Sequence, residues 1–466
     1  MGRSRIDSGH IVALWAFEDD PSGACAGRGG RYCVRPSTAA PGTIPPRPTA
    51  AHMTAPDEEP AGTDQPAAPW ARPMSEETFA FMRDLLAAPS PVGYEGAMTF
   101  GVLEPYFERV KLPTWSTRRF AGHASLVLDT HPGENDRLTV LVVGHADKIR
   151  MQVRSIGDDG KIWVDSDSFL PMTLLGHEVL LFSREPADPT KTRVLRGGTI
   201  EALGAIHFAD AKTRSGEKGV KREQLYLELQ LTGEDRKQRV EDLGIRPGDP
   251  SFLNRPIRRG VGDDAFYGAY LDNGLGVFCA AEVGRLLAEA GGTENVRVLL
   301  AAASHEEIGR MGSRVIAGEM APDVVIAVDV NHDYAAAPGI GDRRMTPLRM
   351  GEGFTLTTGA IVSEQLNGII ETAARSLGIP YQISVSGRDT GTDGMAAFLA
   401  GRDAATTSIG FPIRNMHTMS ESGHTGDVQA AIHAVTAAIQ SMDAAAMTRA
   451  DFESGHVRLD RATPLE

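Results

Sequence analysis

Four apolar runs, Leu138 to Val143, Val296 to Ala303, Val324 to Val328 and Thr406 to Phe411, are each followed within a few residues by a side chain able to hold a metal ion. The runs are short and rich in β-branched residues, which suits strands buried on both faces. Helical patterns alternate with them over Gly276 to Ala290, Ile361 to Leu377 with Gly378 as the C′ residue, and Val428 to Ala445. This alternation predicts an α/β fold on a mostly parallel, doubly wound sheet. In such open sheets ligands bind beyond the carboxyl ends of the strands, so residues distant in sequence converge on one crevice.

The residues delivered there are His145 and Asp147 in G-H-A-D, Asp272 in L-D-N-G, Glu306 and Glu307 in H-E-E-I-G, Asp329 in A-V-D-V and His417 in N-M-H-T-M-S-E. A dinuclear hydrolase needs a carboxylate bridging two cations, further N and O ligands, and a base that does not itself ligate strongly. The set predicts Asp272 as the bridge, His145 and Asp329 on one metal, and Glu307 and His417 on the other. Glu306 is then the general base that takes a proton from metal-bound water and passes it to the leaving amine. Asp147, two residues after His145, is expected to hold the imidazole in its ligating tautomer.

Each piece has an ordinary alternative. Asp-Asn-Gly is a common turn, paired glutamates favour a solvated first helical turn, and Asp329 and His417 suit a strand end and a loop. Their joint order beyond strands is what favours a metal site. His305 and His332 flank the motifs at the cleft, whereas His123, His177, His207 and His424 have no such spacing; all six are read as structural.

Length and composition set the frame. A chain of 466 residues exceeds the ~100–200 residues of one domain. We expect a disordered extension over 1–70, catalytic segments over 75–150 and 263–445, an inserted small β domain over 151–262, and a polar tail over 446–466. Pro, Gly, Ala, Asp and Arg dominate the extension, and Met53 and Met74 near its end suggest a later translation start. Ser75 is the expected N-cap of the first helix, which presents Phe79, Met82, Leu85 and Leu86 on one face. A net charge of −14 argues against a nucleic-acid partner and favours small or peptide substrates. No apolar stretch reaches the ~18 residues of a membrane span. Three cysteines form neither a disulfide framework nor a zinc motif, so a cytoplasmic protein is expected.

From about Ser75 to Ala445 the chain resembles the tetrahedral, glutamyl or deblocking aminopeptidases of metallopeptidase family 42. G-H-A-D resembles that family's His-x-Asp motif, Y-L-D-N-G-L-G-V its bridging-Asp motif, E-E-I-G-R-M-G-S its Glu-Glu motif, and I-R-N-M-H-T-M-S-E its terminal His motif. L-L-G-H-E-V, G-T-I-E-A-L-G-A-I-H-F, L-Y-L-E-L and L-G-I-R-P-G-D-P resemble its inserted β domain. The resemblance implies a two-metal exopeptidase using zinc, with cobalt as the alternative, acting on short peptides as a large homo-oligomer. It supports the same site residues and adds Glu421, in H-T-x-x-E, and Asp393, in G-T-D-G, which also suit a local cap or turn. Lys148 and Arg150 stand where the family usually has an acid and a glycine, and Gly274 where it usually has arginine. A deacylase or carboxypeptidase of the same clan is the competing enzyme; a non-catalytic scaffold is the competing class.

Overall fold

The computed structural model describes residues 67–452 apart from 167, 203–205, 263 and 337–345. Eight strands form the main sheet, in the order Ser116–Phe120, Ser125–Asp129, Val296–Ala303, Leu138–His145, Val324–His332, Ala405–Ile413, Phe354–Gly359 and Tyr381–Ser386. The middle four run parallel to one another. Every residue of Leu138–His145 and of Val296–Ala303 is buried, which is why these strands carry unbroken apolar runs rather than alternating ones.

Register then sets the level of the chemistry-bearing side chains. Ala303 pairs with His145, and Val143 with Ala327, so His145 and Asp329 stand at the same height on adjacent strands. Asp329 does not close its strand, as the sequence suggested. Val330, Asn331 and His332 continue to pair with Phe411, Pro412 and Ile413, and the strand runs on to His332.

Helices cover the sheet. Ser75 caps Glu76–Ala87, its hydroxyl accepting the Thr78 N–H at 3.2 Å, a contact worth about 1 kcal/mol. Phe79, Met82, Leu85 and Leu86 form the buried face of that helix. The helix Leu271–Glu289 approaches the sheet backbone to backbone. A Cβ on Gly144 would lie 2.3 Å from the Gly276 carbonyl carbon, and one on Gly276 would lie 2.3 Å from the Val328 oxygen. Glycine at both positions allows this approach. It seats the amino end of the helix, with Asp272, at the carboxyl edge of the sheet.

After His145 the chain leaves to build a closed six-stranded barrel, in the order Met151–Ile156, Ile162–Ser166, Tyr226–Glu228, Asp188–Glu201, Glu178–Glu185 and Pro250–Leu253. Val153, Ile162, Leu181, Leu227 and Phe252 belong to its own core. The chain returns through Ala265–Gly268, which pairs antiparallel with Glu421–His424, Gly268 opposite Glu421. The return therefore sets the Asp272 segment beside the loop that carries His417.

The ends differ in detail from expectation. Positions 1–66, Met53 among them, and 453–466 lie outside the described residues. Order begins before Ser75: the Trp70 ring lies 5.5 Å from that of His433 on the helix Thr425–Ala444, and Met74 is buried. Phe452, in the segment read as a polar tail, is also buried in the main core. Isolated large apolar side chains supply contact area that their polar neighbours conceal in a composition-based reading.

Candidate metal centre

One carboxylate faces two imidazoles. His145 Nε2 lies 3.2 Å from Asp272 Oδ1, and His417 Nε2 lies 3.1 Å from Asp272 Oδ2. Around His145 Nε2 stand Asp329 Oδ1 at 3.9 Å and Glu306 Oε2 at 3.8 Å; Glu307 Oε1 is 3.9 Å from His417 Nε2. One ligand atom from each of His145, Asp272 and Glu307 lies within 4.8 Å of the others. The six side chains singled out from the sequence thus surround a shared volume.

Local structure explains how each arrives. His145 is the last residue of its strand, and its Nδ1 is 2.9 Å from the Asp147 carbonyl oxygen, which leaves Nε2 facing the site. Asp272 and Asn273 interrupt the first turn of their helix with non-helical backbone angles. The Asn273 amide donates to the Val328 oxygen at 2.7 Å, while its Oδ1 accepts the Gly276 N–H at 2.8 Å, locking this turn against the strand that bears Asp329. His417 has φ +60, in a loop pinned from the neighbouring strand.

Asp147 differs from expectation in which group does the work. Its backbone carbonyl, not its carboxylate, makes the contact with the imidazole; the nearest carboxylate oxygen is 3.7 Å from Nδ1. The carboxylate instead accepts the N–H groups of Glu306 at 2.9 Å and Glu307 at 3.0 Å. A fully buried acid therefore holds the turn that presents both glutamates.

Two further residues were not legible in sequence. Glu95 is buried, accepts the Gly93 N–H at 2.8 Å and lies 3.6 Å from His305 Nδ1, beside the same turn. Arg310 donates to Glu306 Oε1 at 3.2 Å and to Asp389 Oδ2 at 2.9 Å, tying the glutamate to a neighbouring loop. Glu95 sits in no motif with distinctive spacing, and Arg310 lies within E-E-I-G-R-M-G-S, where nothing in the spacing singles out its role. Asp393 is buried against Ser313, and Glu421 lies under Asp272 and His417. Among the other histidines, His123 bonds Ser125 and Ser304, and His424 caps a helix through Gly426.

The residues that depart from the family pattern are also accounted for. Lys148 is fully buried, with Nζ donating to the Leu86 oxygen at 2.7 Å and the Ala88 oxygen at 3.3 Å. Arg150 donates to the Val92 oxygen at 2.9 Å. Both cations tie down the segment after the first helix. At Gly274 a Cβ would lie 2.5 Å from Leu86 Cγ, so that helix occupies the space a longer side chain would need.

The electrostatics call for added positive charge. Burial, then the Asp272 charge, pushes the Glu307 carboxyl well above the usual carboxylate range; burial does the same to Asp329, against the opposing pull of His145. Asp272 is lowered, because His145 and His417 overcome its burial. The Asp272 and Glu307 carboxylates, with oxygens within 4.8 Å of each other, would repel if both were charged by roughly 3–4 kcal/mol or more at an effective dielectric near 20, more than the ~1 kcal/mol net of an ordinary hydrogen bond. Such a cluster must hold protons or cations. Glu307 Oε1 is buried without a hydrogen-bond partner among the described residues, as a ligand atom would be. Imidazole and carboxylate donors on this pattern suit divalent ions of the zinc and cobalt type.

Known proteins share the sequence and fold of this chain. The chain is 26% identical over 304 residues to a lysyl aminopeptidase of Pyrococcus furiosus, covering 65% of this chain and 82% of that protein. It is 24% identical over 296 residues to a glutamyl aminopeptidase of Lactococcus lactis, covering 60% and 74%. Among solved structures, a TET aminopeptidase from a marine sediment Thaumarchaeota archaeon superposes with a TM-score of 0.68 at 22% identity, covering 81% of this chain and 100% of that one. The TET1 peptidase of Pyrococcus horikoshii, which can assemble into a tetrahedron or a large octahedral shell, gives a TM-score of 0.61 at 19% identity over 77% and 98%. The family profile for M42 glutamyl aminopeptidase matches residues 125–433. The chain is a peptidase hydrolase and belongs to the M42 glutamyl aminopeptidase family.

Proposed function

We propose that this peptidase removes N-terminal residues from short peptides at a centre of two divalent cations, zinc in the first instance with cobalt as the alternative. The observation that carries this reading is the placement of the two Asp272 oxygens, one toward His145 and one toward His417. Asp272 would serve both ions, with His145 and Asp329 holding one and Glu307 and His417 holding the other. When bound, the ions polarise the scissile carbonyl and make water more acidic.

The chain's own residues supply the rest. Glu306 stands 3.8 Å from His145, largely out of solvent, and burial raises its carboxyl above the usual range, which suits a base that must also give the proton back. It takes the proton of the attacking water and delivers it to the leaving amine. Arg310 limits the swing of its side chain from one end, and Asp147 fixes its backbone from the other.

A homo-oligomer in the cytoplasm is part of the same reading. The assembling TET1 relative supports the first, and the buried Cys279, in no disulfide among the described residues, is compatible with the second. No helix among the described residues is long and apolar enough to cross a membrane.

Cleavage of matched peptides with free and blocked N-termini tests the activity, using metal-stripped and metal-reconstituted protein. Free peptides are cut stepwise from the amino end only after metal is restored. Cleavage of blocked peptides with free ones left intact would replace this reading with the deacylase or carboxypeptidase one.

A further inference from the structure

Glu421 joins the two backbone segments that carry Asp272 and His417. It is only 2% exposed. Its Oε2 accepts the N–H groups of Leu271 at 2.6 Å and Asp272 at 3.3 Å, and its Oε1 accepts the N–H of His417 at 2.8 Å. Each carboxylate oxygen therefore serves a different segment. Those segments are conformationally demanding: Tyr270 has φ +67, Asn415 +57 and His417 +60, values that side-chain-bearing residues adopt only where surrounding contacts over-determine them. The strand Glu421–His424 is itself paired with Ala265–Gly268, the strand leading into Tyr270. Glu421 thus has a fixed base from which to hold both.

We propose that Glu421 is the positioning residue for the His417 side of the centre, setting the gap between Asp272 and His417 in which the second cation is held. The proposal rests on the two-ion reading and adds to it a residue that touches neither ion. The two acceptor oxygens are the essential feature. Glutamine has the same shape but replaces one acceptor with an NH2 donor. With its oxygen kept toward the two donors of Leu271 and Asp272, its NH2 opposes the N–H of His417. Aspartate keeps two acceptors yet is one methylene too short to reach both segments. The His145 side is held separately, by its strand and by the Asp147 carbonyl.

The test is a titration of metal-stripped, full-length protein with cobalt(II), following visible absorption and bound metal per chain. Wild-type protein takes up two equivalents. Glu421→Gln keeps the first with affinity changed by no more than a few-fold and binds the second about 10–100-fold more weakly, the usual effect of losing a residue that orients a ligand. Its kcat recovers as cobalt is raised to fill the weakened position, a recovery that general loss of structure would not show. Should circular dichroism show the Gln variant unfolded, Glu421→Asp decides by the same titration, with the same selective weakening expected. Two wild-type-like equivalents in a folded variant, or equal weakening of both, overturn the role of Glu421 alone. A single equivalent in wild-type protein overturns the two-ion reading itself.

Discussion

Asp147 accepts the backbone N–H of Glu306 on Oδ1 at 2.9 Å, across 159 positions of sequence. Its other oxygen holds Glu307 in the same way. The strand end that delivers His145 therefore also fixes the turn that delivers Glu307 and Glu306, the proposed second ligand and base. Asp147→Asn substitutes a donor for one of the two acceptors, so one glutamate loses its backbone anchor. We expect kcat to fall by about 10–100-fold, since displacement near 1 Å can cost ~100-fold, with bound metal unchanged. Loss of metal with kcat intact at saturating metal would show that Asp147 acts through a ligand, His145 or Glu307, and not through the base.

Glu306→Gln removes the proton acceptor while keeping the side chain's shape. Turnover is expected to fall by roughly 100-fold or more, the size associated with a general base, with metal content preserved. Steady-state kinetics paired with metal analysis checks both halves. Near-wild-type turnover would remove Glu306 from this role.

Lys148 gives a pH dependence whose sign follows from its surroundings. Complete burial, opposed by the Glu421 charge, holds its ammonium down to about 7, whereas an unfolded lysine titrates near ~10.4. Between these values the unfolded chain binds the extra proton, so this residue's contribution to stability rises with pH across the window. Lys148→Met abolishes the effect. Relative to wild type, the variant should therefore gain stability as pH falls from about 10 toward 7. Melting temperatures of both proteins measured across that range check it, and a constant difference would contradict the assignment.

The carboxylate cluster predicts that metal stabilises the fold. Because Glu307 and Asp329 are strained toward protonation without cations, an ion present at about 100 times its Kd should add roughly 2.7 kcal/mol of stability. Calorimetry of chelated and zinc-supplemented protein should show a melting point raised by several degrees. Identical melts would argue against cation binding at this cluster.

Much of this arrangement was legible because topology, rather than fine packing, brings the residues together. A buried parallel strand advertises itself by its unbroken apolar run, and the end of that run marks where the next polar residue will face the crevice, as for His145, Asp329 and the Glu306–Glu307 turn. The barrel's texture of short strands and Gly-Pro turns was legible for a similar reason. What stayed hidden depends on which atom of a residue faces which neighbour. Sequence spacing suggested that the Asp147 carboxylate meets the imidazole, but the direction of two backbone N–H groups 159 and 160 positions away turns it toward the glutamates. Glu95 and Arg310 went unread because each also meets a partner from a distant segment, His305 for Glu95 and Asp389 for Arg310. Trp70 and Phe452 were hidden inside polar segments whose average composition says nothing of one well-seated ring.

Anomalous diffraction from crystals of zinc-loaded protein tests the account most directly. Two peaks should flank the Asp272 carboxylate, one beside His145 and Asp329 and the other beside Glu307 and His417, with Glu306 bound to neither. A single peak, or ions held away from Asp272, would contradict it.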